Sequence, residues 1–217
     1  MKNARKRRKR RRKRSFGKRI LLLMVSVAFF SLCILAITFL LKETNAKRKV
    51  ELLKDTAVPE WVQVDLIDVD GAARRGTDLE GIKDIVIHYV GNPGTTAKQN
   101  RDFFNNPGVN VSSHFVVGLE GEIIQVIPLN EKSSASNWRN NDTISIEVCH
   151  PDASGKFSET TYQSLVKLTA WLADISDLEE DNIIRHYDIT EKLCPIYYVE
   201  NEDAWIQFKN DVTKARK

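Results

Sequence analysis

The chain has 217 residues, with 33 Lys and Arg against 29 Asp and Glu and a formal net charge of +4. Residues 1–19 hold 13 of the basic residues and no acidic ones, which leaves 20 basic and 29 acidic residues in the rest of the chain. This acidic remainder argues against a nucleic-acid-binding domain, and the two cysteines beyond the first apolar segment are too few for a disulfide-rich scaffold.

The first predicted element is a membrane span at residues 20–41. These residues are uncharged and mostly apolar, and as a helix at ~1.5 Å per residue they would extend roughly 33 Å, enough for a hydrocarbon core of ~30 Å. A cleaved signal peptide has a shorter apolar region of ~7–15 residues. The sequence therefore predicts an uncleaved single-pass anchor, with processing near Ala46 as the alternative.

The basic tail at residues 1–19 predicts the orientation of this span. The more basic flank of a span stays in the cytoplasm, so we expect a cytoplasmic N-terminus and an external domain. The tail is also expected to attract anionic lipid heads. Nucleic-acid binding by the run 5–14 is the alternative, but the topological interpretation is preferred and no nucleic-acid partner is expected.

Beyond the span we predict a stalk or linker at residues 42–60 and one domain at residues 61–217. About 160 residues suffice for a single domain with its own core. A stalk helix would end before Pro59.

Strand patterns and helix patterns follow one another along this domain, which predicts an α/β fold with a single mixed β-sheet flanked by helices. The predicted elements are a strand at 84–90, a helix capped by Thr95 or Thr96 and ending near Asn105, a hairpin of strands 109–118 and 122–127, a polar loop at 133–142, a strand at 143–149, a helix capped by Ser158, a short strand at 183–186 and a C-terminal helix marked by Trp205, Phe208 and Val212.

Two histidines and one cysteine form a candidate metal site. His88 lies inside an apolar strand, His186 ends another, and Cys194 follows on a polar loop. Two imidazoles and one thiolate suit zinc, and three protein ligands would leave one tetrahedral position open. Spacing alone also allows two core or surface histidines, and a bridge between Cys149 and Cys194 remains an alternative.

Glu147 is a candidate general base. It lies in a predicted strand that is otherwise apolar and small, on the face of Ser145 and Cys149. Because a buried carboxylate is costly, proximity to a metal would explain it, and such a carboxylate could transfer a proton. An edge-strand glutamate that faces solvent is the alternative.

Five segments, in this order, resemble the type 2 N-acetylmuramoyl-L-alanine amidases, a family that includes phage endolysins and to which peptidoglycan recognition proteins are related. The resemblance covers about residues 80–208. The segments are Ile85–Thr96 with its strand histidine, Ser113–Val117, the hairpin Gly118–Gln125, Ile144–Cys149, and His186 followed after seven residues by Cys194-Pro195.

The resemblance implies a zinc-dependent peptidoglycan hydrolase that cleaves the amide between N-acetylmuramic acid and L-alanine. It implies His88, His186 and Cys194 as zinc ligands and Glu147 as general base. Lys192 matches a lysine expected to stabilise the oxyanion. With the anchor, it predicts a catalytic domain outside the cell membrane that faces the cell wall.

Three further residues are candidates for the substrate cleft: His114, Asn92 and Trp138. Some relatives carry a catalytic tyrosine next to the position of His114, where this chain has Ser113. The segment 135–139 also departs from the His-Ala-Gly that many relatives have in this loop, and many have glycine at the position of Ser145. His150 is expected to be a surface residue in a turn.

Two other functions remain open at the level of sequence. A non-catalytic peptidoglycan-binding module is the first, although such relatives usually lack the cysteine at the position of Cys194. A membrane scaffold with a purely structural metal is the second, and it would need a fourth protein ligand.

Overall fold

The computed structural model describes residues 2–69 and 71–216, with the backbone alone for residues 2–23 and 42. The chain forms two compact units, one ending at Asn45 and one beginning at Ala46. The side chains of the basic tail and of the first residues of the predicted span therefore lie outside the described residues.

The first helix, α1 (Lys2–Lys54), contains the apolar segment. Among the residues that the structure describes, Met24–Lys54 is the one helical segment long and apolar enough to cross a membrane, and its apolar stretch has a mean hydropathy of 2.6 and is 0% buried. By length and composition this segment suits a membrane anchor, and it also suits a signal sequence.

The second unit is built on one six-stranded mixed sheet in the order β1-β4-β3-β5-β2-β6. All neighbouring pairs are parallel except the hairpin of β3 and β4. This confirms the predicted fold class. The strands are β1 (Val62–Val64), β2 (Asp84–Tyr89), β3 (Phe115–Val117), β4 (Ile123–Gln125), β5 (Thr143–Val148) and β6 (Ile183–Arg185), and the helices are α2 (Ala97–Phe104), α3 (Glu159–Ser176), α4 (Tyr187–Thr190), α5 (Ile196–Glu200) and α6 (Glu202–Ala215).

Alternation along the strands separates a packing face from a functional face. Ile85 and Ile87 point into the larger core, where side chains of α3 and α6 also pack. Val116 belongs to a second cluster on the other face, together with residues of α2. Because side chains alternate in a strand, His88 lies opposite Ile87 and faces this second side of the sheet.

The helix caps follow their sequence signals. Thr96 caps α2: its side chain accepts a hydrogen bond from the Gln99 N–H, and the Gln99 side chain accepts one from the Thr96 N–H. This reciprocal pair is a capping box. Ser158 caps α3 through the Thr161 N–H. The hairpin strands are shorter than predicted, and a 3-10 turn (Asn137–Asn141) lies within the loop 133–142.

The last turns of α1 belong to the second unit. Val50 and Leu53 are 5% and 4% exposed and lie in the larger core. The Lys49 ammonium donates to the Ser176 carbonyl at 3.3 Å and to the Asp177 carboxylate at 3.1 Å, at the C-terminal end of α3. Part of the segment predicted as a stalk therefore packs against the sheet domain.

Candidate active site

His88, His186 and Cys194 meet at one end of the central strands. Each offers a donor atom, and these atoms lie within 4.8 Å of one another. The Cys194 Sγ is 3.9 Å from the His88 Nδ1, and the two imidazole centroids are 4.6 Å apart. The three residues are at most 6% exposed. The structure thus brings all three predicted ligands together.

The local backbone explains this convergence. His186 directly follows β6, and its N–H continues the ladder to the Ile87 carbonyl at 3.2 Å, which places it beside His88 on β2. The chain then turns through α4, and the Tyr187 N–H donates to the Cys194 carbonyl at 3.0 Å. This hydrogen bond closes the segment 187–194 into a loop, which places Cys194 next to the two histidines.

Cys33, Cys149 and Cys194 are free thiols, so the alternative disulfide is not formed. Cys149 is buried and its Sγ lies 3.5 Å from the Asn100 amide nitrogen. Cys194 therefore remains available as a ligand.

The chemistry of the three donors fits a zinc ion. Burial lowers the pKa of His88, with smaller contributions from His186 and Lys192, and burial and Lys192 lower the pKa of His186. Both imidazoles are therefore neutral at pH 7, as ligands must be. Burial and Glu147 raise the pKa of the Cys194 thiol to about 12, so a metal must displace its proton.

Glu147 lies beside the donors on β5, where it is the register partner of His88. Its Oε2 is buried and has no hydrogen-bond partner among the residues that the structure describes. Burial raises the pKa of this carboxyl to about 8, although Lys192 opposes the shift. A carboxyl group with this proton affinity can exchange a proton near neutral pH.

These groups line a cleft of about 440 Å³, although they are themselves largely shielded from solvent. The exposed Lys192 also lines this cleft, and its positive charge acts on Glu147 by lowering the pKa of that carboxyl group. Phe103 and Val111 form an apolar part of the wall and are 50% and 43% exposed. The cleft therefore combines polar reactive groups with an apolar wall.

The three predicted cleft residues lie outside this lining. His114 is fully buried, where its Nδ1 accepts from the Ser145 N–H at 3.0 Å and its Nε2–H donates to the Glu131 carbonyl at 2.8 Å. Asn92 and Trp138 are exposed, and neither is among the residues that line the cleft. Their roles toward substrate stay predictions.

The expectation for His150 was wrong. This residue is 1% exposed, its ring lies 5.0 Å from that of Tyr89, and its Nδ1–H donates to the Asp152 carbonyl at 2.7 Å. The turn after β5 folds back on itself, so the imidazole packs on the aromatic ring and is shielded from solvent.

Two contacts of the histidines were not predicted from the sequence. The Asn137 Oδ1 lies 2.9 Å from the His186 Nε2, and the Ser136 Oγ lies 3.3 Å from the His88 Nε2. Both residues belong to the segment 135–139, whose sequence departs from the His-Ala-Gly of many relatives. That departure was the only feature of the sequence that pointed to this loop.

Known proteins share this fold and these segments. The family model described as N-acetylmuramoyl-L-alanine amidase matches residues 78–196. The N-acetylmuramoyl-L-alanine amidase BlyA of Bacillus subtilis (strain 168) is 35% identical over 167 residues, which cover 67% of this chain and 45% of that protein. CwlL of Bacillus licheniformis is 30% identical over 163 residues, with the same two coverages. The chain thus spans about half the length of these curated relatives.

Solved structures agree with the sequence comparisons. The catalytic domain of XlyA superimposes with a TM-score of 0.62 at 26% identity, covering 70% of this chain and 98% of that domain. A mutant endolysin from Bacillus subtilis gives the same TM-score and identity, with 70% and 97% covered.

Proposed function

Because the chain belongs to the N-acetylmuramoyl-L-alanine amidase family, we propose that it hydrolyses the amide joining the lactyl group of N-acetylmuramic acid to the L-alanine of the peptidoglycan stem peptide. The observation that carries this proposal is the meeting of three metal-type donors with a buried carboxyl oxygen that has no hydrogen-bond partner in the described part of the chain, all in one cleft. The cleft is also open to solvent, as a polymeric substrate requires.

His88, His186 and Cys194 are the residues proposed to hold a zinc ion. When bound, zinc supplies Lewis-acid polarisation and a hydrolytic nucleophile at neutral pH. The neutral state of both imidazoles favours this binding.

Glu147 is the proposed proton carrier. Its Oε2 would accept a proton from the attacking water and return it to the amine that leaves with L-alanine. Burial raises the pKa of this carboxyl group and so favours the protonated form that donates, whereas the charge of a bound zinc ion would favour the ionised form that accepts the proton.

Lys192 is proposed to stabilise the negative charge that develops on the carbonyl oxygen. Lys192 lines the cleft and is exposed, so its side chain can approach a bound substrate. Preorganised positive charge at a developing oxyanion is among the larger contributions to such catalysis.

The N-terminal segments are proposed to place this activity at the membrane. In this proposal, the tail at 1–19 is cytoplasmic, residues 20–41 cross the membrane once, 42–60 form the connection, and 61–217 form the catalytic domain facing the cell wall. The buried side chains of Val50 and Leu53 indicate that the folded part of this connection begins near Ala46.

The rival functions receive less support. A binding module has no need of a donor set beside a raised-pKa carboxyl group. A structural metal would need a fourth protein ligand, and in the described part of the chain the group that could hold a metal has three members.

The test is metal-dependent hydrolysis. The protein should release dye from labelled peptidoglycan, lose this activity after treatment with a chelator, and regain it with zinc. His186→Ala should bind less zinc and stay inactive. A wild-type protein that binds peptidoglycan but releases nothing with zinc present would instead support the binding module.

A further inference from the structure

One short loop contacts both histidines of the proposed metal site. The Asn137 Oδ1 contacts the His186 Nε2 at 2.9 Å, and the Ser136 Oγ contacts the His88 Nε2 at 3.3 Å. These two residues are adjacent in the chain. Both contacts are made to Nε2. The other ring nitrogen, Nδ1, therefore stays available to bind a metal.

The amide oxygen of Asn137 determines where the proton of His186 lies. A carbonyl oxygen can only accept, so the His186 Nε2 must donate and carry the proton. The lone pair is then left on Nδ1. Metal-binding histidines are commonly held in one tautomer in this way by an acceptor at the second nitrogen.

The backbone at Asn137 is adapted to this contact. Its φ is 55°, in the left-handed region that asparagine tolerates better than most residues with a side chain. The preceding chain is fixed by Asn140, whose Oδ1 accepts from the N–H groups of Ala135 at 3.0 Å and Ser136 at 2.6 Å. The loop is thus ordered by its own polar groups.

An ion-pair network fastens the same loop to the strand that carries His88. Arg139 pairs with Asp142 at 2.6 Å and also bonds the carboxylate of Asp84. Asp84 is the first residue of β2. Asn137 is therefore presented by a loop that is attached to the sheet on which the site is built.

We propose that Asn137 is a positioning residue that fixes His186 in the Nε2–H tautomer and in the orientation needed to bind zinc through Nδ1. The Ser136 hydroxyl, which can donate or accept, contacts the corresponding nitrogen of His88 but does not by itself select a tautomer. This inference rests on the proposed zinc site. Loss of such an outer contact typically costs 10–100-fold in metal affinity, and we expect a loss of this size on removal of the Asn137 amide.

The first test compares zinc affinities of the full chain in detergent micelles by competition with a chromophoric chelator. Asn137→Gly removes the acceptor and suits the left-handed backbone, so affinity should fall by about 10–100-fold. Asn137→Asp keeps an acceptor and should stay within a few fold of wild type. Asn141→Gly, at an exposed position of the same turn, is the matched control and should bind normally.

Several outcomes would overturn the inference. Wild-type affinity in Asn137→Gly would show that the contact is unimportant, and an equal loss in Asn137→Asp and Asn141→Gly would indicate general loosening of the loop. Both leave the proposed function intact. A wild-type protein that binds no zinc would overturn the proposed function and this inference together.

A second measurement needs no variant. The protein has four histidines, so long-range ¹H–¹⁵N spectra of the zinc-loaded, histidine-labelled wild type can be assigned. We expect His186 to coordinate through Nδ1 with a protonated Nε2. Coordination through Nε2 would contradict the inference, because that nitrogen could not then donate to Asn137.

Discussion

At the scale of single residues, Glu147 has the least ordinary environment in the cleft. Its Oε2 is buried, no described residue forms a hydrogen bond with it, and burial raises its pKa to about 8. Glu147→Gln keeps the shape but cannot accept a proton, so hydrolysis should fall by about 10²–10⁴-fold while zinc content and folding are retained. The measurement is the rate of dye release from labelled peptidoglycan.

Glu120→Gln is the matched control for this variant, because Glu120 is exposed on the β3–β4 turn. It should keep the wild-type rate. Near-normal hydrolysis by Glu147→Gln would exclude Glu147 as the proton carrier.

His114 should make folding stability depend on pH. Burial lowers its pKa to about 4 from 6.5, so the unfolded chain binds the proton more readily. Stability from this residue is present above about pH 6.5 and is lost as the pH falls toward 4, by roughly 3 kcal/mol in all. His114→Gln should flatten this part of the profile, measured by urea unfolding across the pH range. Parallel profiles for both proteins would contradict the assignment.

The sequence predicted some residues of the site and missed others for a physical reason. His88 and Glu147 stand out because a polar group in an apolar strand requires an explanation. Asn137 and His150 carry no such signal. Their contacts depend on how two loops fold back, which neither periodicity nor propensity determines.

At the scale of elements, the last turns of α1 are the least expected part of the domain. Leu53 is 4% exposed in the core and Leu52 is 63% exposed, although the two are neighbours. Leu53→Ala should lower the free energy of unfolding by about 2–5 kcal/mol, whereas Leu52→Ala should change it by no more than about 0.5 kcal/mol.

Tryptophan fluorescence during urea unfolding can report this difference, because all four tryptophans lie after residue 45. Equal effects of the two substitutions would show that residues 46–54 do not pack as described. For the same reason, a soluble fragment should begin at or before Ala46, since a start at residue 57 removes Val50 and Leu53 from the core.

Helix starts were predicted well at this scale because caps are local. Thr96 and Ser158 act within three residues of their helices. The packing of α1 was not predicted, because its apolar positions after residue 46 are sparse and the surface that covers them comes from distant strands. The first hairpin strand was predicted to be too long because Val109 and Val111 continue the apolar alternation, although β3 begins only at Phe115.

At the scale of the whole molecule, the proposed topology places the sheet domain outside the cell membrane. With a tag at each end of the chain in bacterial protoplasts, external protease should remove the C-terminal tag and spare the N-terminal one. Both tags should be lost after the membrane is permeabilised. Protection of the C-terminal tag in intact protoplasts, or release of a soluble domain by processing near Ala46, would contradict the proposed anchor.

The identity of the cleaved bond tests the central claim most directly. Purified peptidoglycan is digested with the zinc-loaded protein, and the products are analysed by mass spectrometry, with Glu147→Gln as the inactive control. We predict free stem peptides that begin with an unblocked L-alanine, and glycan strands that retain intact lactyl groups and glycosidic bonds. Cleavage within the glycan or within the stem peptide, or no products from a zinc-loaded wild-type protein, would contradict the account.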